Sequence, residues 1–330
     1  MKQLWAVVLA AGEGKRMYSS LPKVLHSLCG RPMLDYVLNS AADLTTNIVV
    51  VVGHGASLIE EKMGDRWIYA LQEQQLGTGH AVLQAFNRLP NKGTLLVLCG
   101  DTPLLTGAHL KTLVDIGENC AAVVGTVKLE NPTGYGRIVR GDEQIVERIV
   151  EEKDASEVEK SIKEINIGTY CFNLQLLRHY LPLLTNENAQ GEYYLTDVIG
   201  MLRLNGYPVK AFEIEDHRFG LGINNRMQLA EAVALMQERI NSRLMLEGVT
   251  IEDPATTYIE PDVKVGVDTI IRPSSIIEAG TVIGSGCIIG PFAHLRNAVI
   301  EDGSVIESSY VENCKVKNGS RLGPYEVMES

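Results

Sequence analysis

The chain has 330 residues, is 45% hydrophobic, and carries 41 Asp and Glu against 30 Lys and Arg, a formal net charge of −11. That acidity excludes a general attraction to nucleic acid or to an anionic membrane surface, so any positive charge used on an anionic ligand must be gathered locally. No apolar run approaches membrane-spanning length, and the first one has neither a basic leader nor a cleavage site, so a cytoplasmic protein is expected.

In chain order, the apolar run Leu4–Leu9 reads as a buried parallel strand. The chain leaves it through Ala10, Ala11 and Gly12 to Gly14, and then meets Lys15, Arg16 and Lys23. Between Met1 and Met33 the acid Glu13 stands alone against Lys2, Lys15, Arg16, Lys23 and Arg31. A small-residue loop backed by fixed positive charge suits a polyphosphate. Leu34, Val37, Leu38, Ala41 and Leu44 fall at helical spacing, and Ile48–Val52 reads as the next strand. A helix over His80–Leu89 precedes a strand over Thr94–Cys99, which ends at Gly100-Asp101. Further on, a helix over Leu110–Ile116 and strands over Ala121–Val127 and Ile167–Phe172 follow.

Up to about residue 215 this alternation argues for an α/β domain with a mainly parallel sheet covered on both faces. Ligands on such sheets sit at the carboxyl ends of strands, where the 9–16 loop and Cys99-Gly100-Asp101 both fall. Asn225–Leu246 reads as one long helix with Gly248 as its C-cap.

The periodicity then changes. Ile259, Val265, Ile271, Ile277, Ile283, Ile289 and Leu295 recur every six residues, the signature of a hexapeptide parallel β-helix. Beyond Leu295 the frame slips, and Val299, Val305 and Val311 resume the spacing of six. The expected division is a domain over 1–225, a connecting helix over 226–249, and a short β-helix of about four coils over 250–330. Ile270, Ile276, Val282 and Ile288 precede the inward positions, so they should point outward. Ile270, Ile288 and Ile306 should then stack on one outer face, and an exposed aliphatic ladder of this kind suits an interface.

Several motifs are excluded. Gly12-Glu13-Gly14-Lys15-Arg16-Met17 starts like a dinucleotide fingerprint, but Met17 occupies the third glycine position. There is no G-K-[ST] of a Walker loop and no H-E-x-x-H among the seven histidines. The six cysteines form no C-x-x-C pair and read as reduced thiols.

What the chain does match is L-A-A-G-x-G-x-R-M over Leu9–Met17 followed by Leu21-Pro22-Lys23. In these residues it resembles the sugar-1-phosphate nucleotidyltransferases. Further segments narrow the resemblance to the uridyltransferase half of the bifunctional N-acetylglucosamine-1-phosphate uridyltransferase/glucosamine-1-phosphate acetyltransferases. They are Leu71-Gln72 with Gln75–Ala81, Cys99–Pro103, Thr133–Ile138, Val150-Glu151, Ile165-Asn166, Asn188–Asp197 and Gly222–Arg226. Lys15 and Cys99 depart from the common pattern, which more often has a small residue and an aromatic one there. The resemblance spans roughly residues 3–290 and implies a Rossmann-like sheet followed by a left-handed β-helix.

Nucleotidyl transfer needs in-line approach of a phosphate oxygen to the α-phosphorus and stabilisation of charge on the leaving pyrophosphate. Arg16 and Lys23 supply fixed cations for that charge, and the resemblance implies this catalytic role for both. Lys15 reads as a bystander. Asp101, at the end of an apolar strand, is a good Mg²⁺ ligand, and the resemblance implies Asn224 as its partner. For the uracil nucleotide the resemblance implies Gln72 and the Gly77-Thr78 backbone, with Leu9, Ala10, Ala11 and Gly12 opposite and Gly100 nearby. On the sugar side the resemblance implies Gly136, Glu151, Asn166, Thr196 and Asn224, with Glu192 and Tyr194 as weaker candidates. No general base is needed, because a sugar phosphate is already an anionic nucleophile.

The expected protein is therefore a Mg²⁺-dependent enzyme making UDP-N-acetylglucosamine and pyrophosphate from UTP and N-acetylglucosamine 1-phosphate. Related β-helix enzymes imply a homotrimer. The alternatives are another sugar 1-phosphate, such as glucose 1-phosphate, or a sugar-nucleotide-binding regulator without turnover. After residue 217 His294 is the one histidine, and it reads as an outward coil residue. With no acetyl-CoA motif before Ser330, uridyl transfer without acetyl transfer is expected.

Overall fold

A computed structural model of the chain describes residues 3–141 and 145–329, so Lys2 of the basic N-terminal stretch lies outside the described residues, as does Ser330. The chain divides into two units, one formed by Met1–His26 with Pro32–Asn225 and the other by Ser27–Arg31 with Arg226–Ser330.

The first unit is built on strands β1 (Leu4–Ala10), β2 (Ile48–Val52), β3 (Ile68–Leu71), β4 (Thr94–Cys99) and β5 (Ala122–Lys128). Four more are β6 (Arg137–Arg140), β7 (Val146–Val150), β8 (Glu164–Asn173) and β9 (Val209–Glu213). The main path runs β9-β5-β8-β4-β1-β2-β3, with β6 joined to β8 and β7. Neighbouring pairs along it are parallel except at β8, which runs antiparallel to both β4 and β5. The expected mainly parallel α/β sheet is present, and the antiparallel strand is an addition to it.

Alternation along the strands divides the core between two faces. Val7, Val49, Leu95 and Val97 point to one side, where they meet α3 (Thr78–Ala85), α5 (Leu174–Tyr180) and α6 (Asp197–Leu204). Val8, Val50, Leu96 and Leu98 point to the other, against α1 (Met33–Ala42), α2 (Ala56–Met63) and α4 (Gly107–Gly117). Helices on both faces bury β1, β2 and β4 completely in their middles, which is why these three read as unbroken apolar runs.

The second unit contains α7 (Arg226–Leu246) and a left-handed parallel β-helix of two- and three-residue strands in three sheets of five, five and four. Helix α7 buries Ala232, Met236, Ile240 and Leu244. Its amides serve the first coil: Gln237 Nε2 donates to the Ile259 carbonyl at 3.2 Å, and Asn241 Nδ2 to those of Pro254 and Thr257 at 3.0 and 3.1 Å. Ile259, Ile271, Ile277, Ile283, Ile289 and Leu295 are buried, as the six-residue spacing requires, whereas Val265 is half-buried.

The frame after Leu295 needs correction. Ile300, Ile306, Val311, Val316 and Leu322 face inward, whereas Val299 and Val305 face outward. The cause is the corner. In the six-residue steps 271–277 and 277–283 the left-handed residue is third after the inward one (Ser274, Gly280). In the five-residue steps from Leu295, Ile306 and Val311 it is second (Asn297, Ser308, Asn313), which drops one residue from the corner. Asn accepts this backbone at modest cost. A one-residue slip exchanges the two faces of a strand, so Ile306 pairs with Ile289 inside and Val305 stacks on Ile288 outside. The outer ladder is Ile270, Ile288 and Val305, each half-buried.

Candidate active site

The carboxyl ends of β1 and β4 open into a cleft of about 530 Å³ in the first unit. Its floor is the loop after β1. At Gly14 the backbone is left-handed (φ 63°), and a Cβ there would lie 2.5 Å from Cβ of Lys23. Glycine therefore lets the Lys23 stem pass beneath the loop. Gly12 is open to the cleft: a Cβ added there would meet nothing within 4 Å. Met17 is buried and anchors the short turn Lys15–Met17, which carries Arg16 outward. Lys15 is spent on an exposed ion pair with Glu13 at 2.7 Å.

Four predicted residues from distant parts of the chain meet here. Lys23 Nζ forms an ion pair with Asp101 Oδ2 and donates to Asn224 Oδ1 at 3.1 Å. Arg16 Nη2 donates to the same amide oxygen at 3.0 Å. Asn224 arrives on a loop stitched to the end of β4 by Ile223 N–H donating to the Asp101 carbonyl at 2.9 Å. One carboxylate oxygen and one amide oxygen thus converge on a single cation, the Lys23 ammonium. Mg²⁺ takes one or two protein oxygens plus phosphate and water, so Asp101 and Asn224 fit it. Among the described residues no cluster of three or more His, Cys, Asp and Glu could hold a metal on its own.

Leu9, Ala10, Ala11, Gly12, Gln72, Gly77 and Thr78 line the same cleft, and so does Glu192. Gly77 (φ 109°) has no room for a side chain, since a Cβ would sit 2.6 Å from the Tyr193 carbonyl oxygen. The close approach lets Tyr193 N–H reach the Leu76 carbonyl at 2.8 Å, and Gly79 N–H the Tyr193 carbonyl at 2.8 Å. Thr78 Oγ1 accepts from Leu195 N–H at 3.1 Å, so the 192–195 segment is laced to the 76–79 loop. Gly100 stands apart from the other predicted nucleotide residues. It is buried below the cleft, where its N–H donates to the Leu9 carbonyl at 2.9 Å and ties β4 to β1.

Of the predicted sugar-side residues, Gly136, Asn166 and Thr196 gather around Glu151, whereas Asn224 stands with Arg16 and Lys23. Thr196 Oγ1 donates to Glu151 Oε1 at 3.1 Å, and a Cβ at Gly136 would be 3.3 Å from Glu151 Oε2. Asn166 N–H donates to the Gly136 carbonyl at 2.9 Å, and Asn166 Nδ2 to the buried Tyr170 hydroxyl at 2.7 Å. Burial raises the Glu151 carboxyl above its usual range, against the hydrogen bond from Thr196. Tyr194 is occupied in holding its loop, its hydroxyl donating to Asp154 Oδ2 at 3.2 Å. Cys99 links the two halves: it lines the cleft, and its thiol donates to the Gly168 carbonyl at 3.4 Å. Burial, with Asp101 and Glu151 adding to it and Lys23 opposing, pushes that thiol up to about 12, so it is an inert wall and not a nucleophile.

Sequence reading did not single out His80, which bonds to Gln72, or Gln84, which bonds to the far side of the His80 ring. The 75–81 motif contains His80, but nothing in the motif says which neighbour the ring touches. Nor did it find Tyr170, whose place depends on the irregular stretch of β8 between Asn166 and Tyr170.

Comparison with known proteins places this geometry. Residues 6–162 match the MobA-like NTP transferase domain. A bifunctional protein GlmU of Acetivibrio thermocellus is 49% identical over 329 residues, covering 98% of this chain and 71% of that protein. One from Halalkalibacterium halodurans is 46% identical over 329 residues, covering 98% of this chain and 72% of that protein. A Bacillus anthracis structure described as a glucose-1-phosphate thymidylyltransferase shares the fold, with a TM-score of 0.56 at 18% identity over 71% of this chain and 95% of that one. The chain is a nucleotidyltransferase, and with almost its whole length matched at close to half identity it belongs to the bifunctional GlmU family.

Proposed function

We propose that this nucleotidyltransferase joins UTP to N-acetylglucosamine 1-phosphate, giving UDP-N-acetylglucosamine and pyrophosphate. A phosphate oxygen of the sugar phosphate attacks the α-phosphorus of UTP, the bond from that phosphorus to the bridging oxygen breaks, and pyrophosphate leaves with the electron pair. The observation that carries this reading is the meeting of Arg16, Lys23, Asp101 and Asn224 at one point of the cleft. Arg16 and Lys23 oppose the charge that grows on the leaving group. Mg²⁺, held by Asp101 and Asn224, would neutralise phosphate charge when bound. Gln72, Gly77 and Thr78 hold the base, and Glu151, Asn166 and Gly136 accept from and orient the sugar hydroxyls and the N-acetyl group. A regulator that only binds sugar nucleotides has no need of two cations on the pyrophosphate side, so the catalytic reading is favoured. The six cysteines are free thiols, which supports a cytoplasmic enzyme. Among the described residues no helix is long and apolar enough to cross a membrane.

Pyrophosphate release with UTP and a panel of sugar 1-phosphates tests this. N-Acetylglucosamine 1-phosphate should give the highest kcat/KM, and glucose 1-phosphate a value lower by at least about 10-fold, the order expected when buried polar groups lose their partner. A preference for glucose 1-phosphate would overturn the sugar assignment.

We also infer a homotrimer, supported by the family resemblance and by the outward ladder Ile270, Ile288 and Val305. Light scattering should give about three times the chain mass of 36.2 kDa. A stable monomer at micromolar concentration would rule this out.

A further inference from the structure

The side-chain amide of Gln72 is almost fully buried, with 3% of the residue exposed, yet it lines the cleft. Its Nε2 lies 3.2 Å from the Gly77 carbonyl oxygen and 3.0 Å from His80 Nδ1. On the far side of the ring, His80 Nε2 lies 3.0 Å from Gln84 Nε2, which also lies 3.2 Å from the His80 carbonyl oxygen. Both ring nitrogens therefore face an amide nitrogen. A neutral imidazole has one donor and one acceptor, so one of the two amides must turn its oxygen to the ring.

Burial decides which one turns. Turning Gln72 would set its buried oxygen against the Gly77 carbonyl, leaving two acceptors facing each other. Gln84 is half-buried on α3 and can exchange its bond to the His80 carbonyl for one to solvent. With Gln84 turned, His80 carries its proton on Nε2 and accepts at Nδ1 from Gln72. Both N–H bonds of the Gln72 amide are then consumed by Gly77 and His80, and Oε1 is the group left for the cleft. An amide oxygen there accepts from an imide N–H such as uracil N3–H. It repels the N3 lone pair of cytosine.

We propose that His80 is a positioning residue for base selection: its Nε2–H tautomer, together with the Gly77 carbonyl, fixes the Gln72 amide so that the site takes an imide base and refuses cytosine. This rests on the assignment of the cleft to UTP.

Calorimetric titration of the full chain with UTP and with CTP, in Mg²⁺ and without sugar phosphate, tests it. In H80L the acceptor at Nδ1 is gone, and the ratio of CTP to UTP dissociation constants should fall about 10-fold, the loss of one buried hydrogen bond. H80N returns an acceptor to the Nδ1 position and should restore most of the ratio. Equal weakening of both nucleotides in H80L, with the ratio unchanged, would mean a purely structural role and overturn the proposal. Nitrogen-15 NMR of the unsubstituted protein gives a readout that needs no variant: His80 should show a protonated Nε2 and a bare Nδ1, and the opposite tautomer would overturn the proposal. Should the unsubstituted protein fail to prefer UTP over CTP, the uridine reading itself falls.

Discussion

Replacing Arg16 by Ala should lower kcat by about 100-fold or more, the size of effect seen when a preorganised donor to transition-state charge is removed. The side chain is exposed, and its hydrogen bond goes to Asn224 Oδ1, so its loss should leave the melting temperature nearly unchanged. The apparent affinity for UTP should weaken much less than kcat falls. A group that holds ground state and transition state equally moves KM, whereas one that acts on growing charge moves kcat. Arg16→Lys should recover only part of the rate, because an ammonium cannot reproduce the two-pronged guanidinium contact with phosphate oxygens. An Arg16→Ala enzyme with normal turnover would remove Arg16 from the catalytic set. The companion cation needs a gentler change: Lys23 packs its stem under Gly14, so Lys23→Met, which keeps that stem, separates charge from packing.

The second large effect is expected at Asp101. Asp101→Asn keeps the shape but removes the charge that faces the Lys23 ammonium and supplies one of two convergent oxygens. The Mg²⁺ concentration for half-maximal rate should rise by at least about 10-fold, since loss of even an outer partner of a metal ligand costs 10- to 100-fold in affinity. Turnover at saturating metal should fall as well. The fold should persist, because the Ile223 bond uses the Asp101 backbone carbonyl and not its side chain. Steady-state rates across a Mg²⁺ titration, with circular dichroism as the folding control, measure both. Unchanged metal dependence in Asp101→Asn would exclude Asp101 as a ligand.

Glu151 offers a subtler check on the sugar side. Its carboxyl is raised by burial while Thr196 donates to it, and Gly136 and Asn166 are joined beside it. Gly136 precedes β6, Glu151 follows β7, Asn166 lies in β8 and Thr196 is the N-cap of α6, and no local stretch of sequence says that they meet.

That contrast runs through the whole protein. Leu4–Leu9, Ile48–Val52 and Thr94–Cys99 were legible as strands because both their faces are buried, which leaves an unbroken apolar run. The loop Leu9–Met17, Lys23 and Asp101 were legible as phosphate and metal chemistry because charge type and glycine position carry that chemistry in the residues themselves. Hexads to Leu295 were legible because each inward residue must be aliphatic. The antiparallel direction of β8 was not, since Ile167–Phe172 has the same pattern whichever way it runs, and direction is set by its hydrogen-bond partners. The exchange of Val305 and Ile306 was hidden for a similar reason: both are aliphatic, and only the corner at Asn297 tells which one turns inward. The charged loop and the strand end could supply Arg16, Lys23 and Asp101 as candidates, and the resemblance alone supplied Asn224. Their meeting, and the placing of His80 behind Gln72, were decided by the tertiary structure, because contacts between residues up to 208 positions apart depend on how the sheet stacks its strand ends.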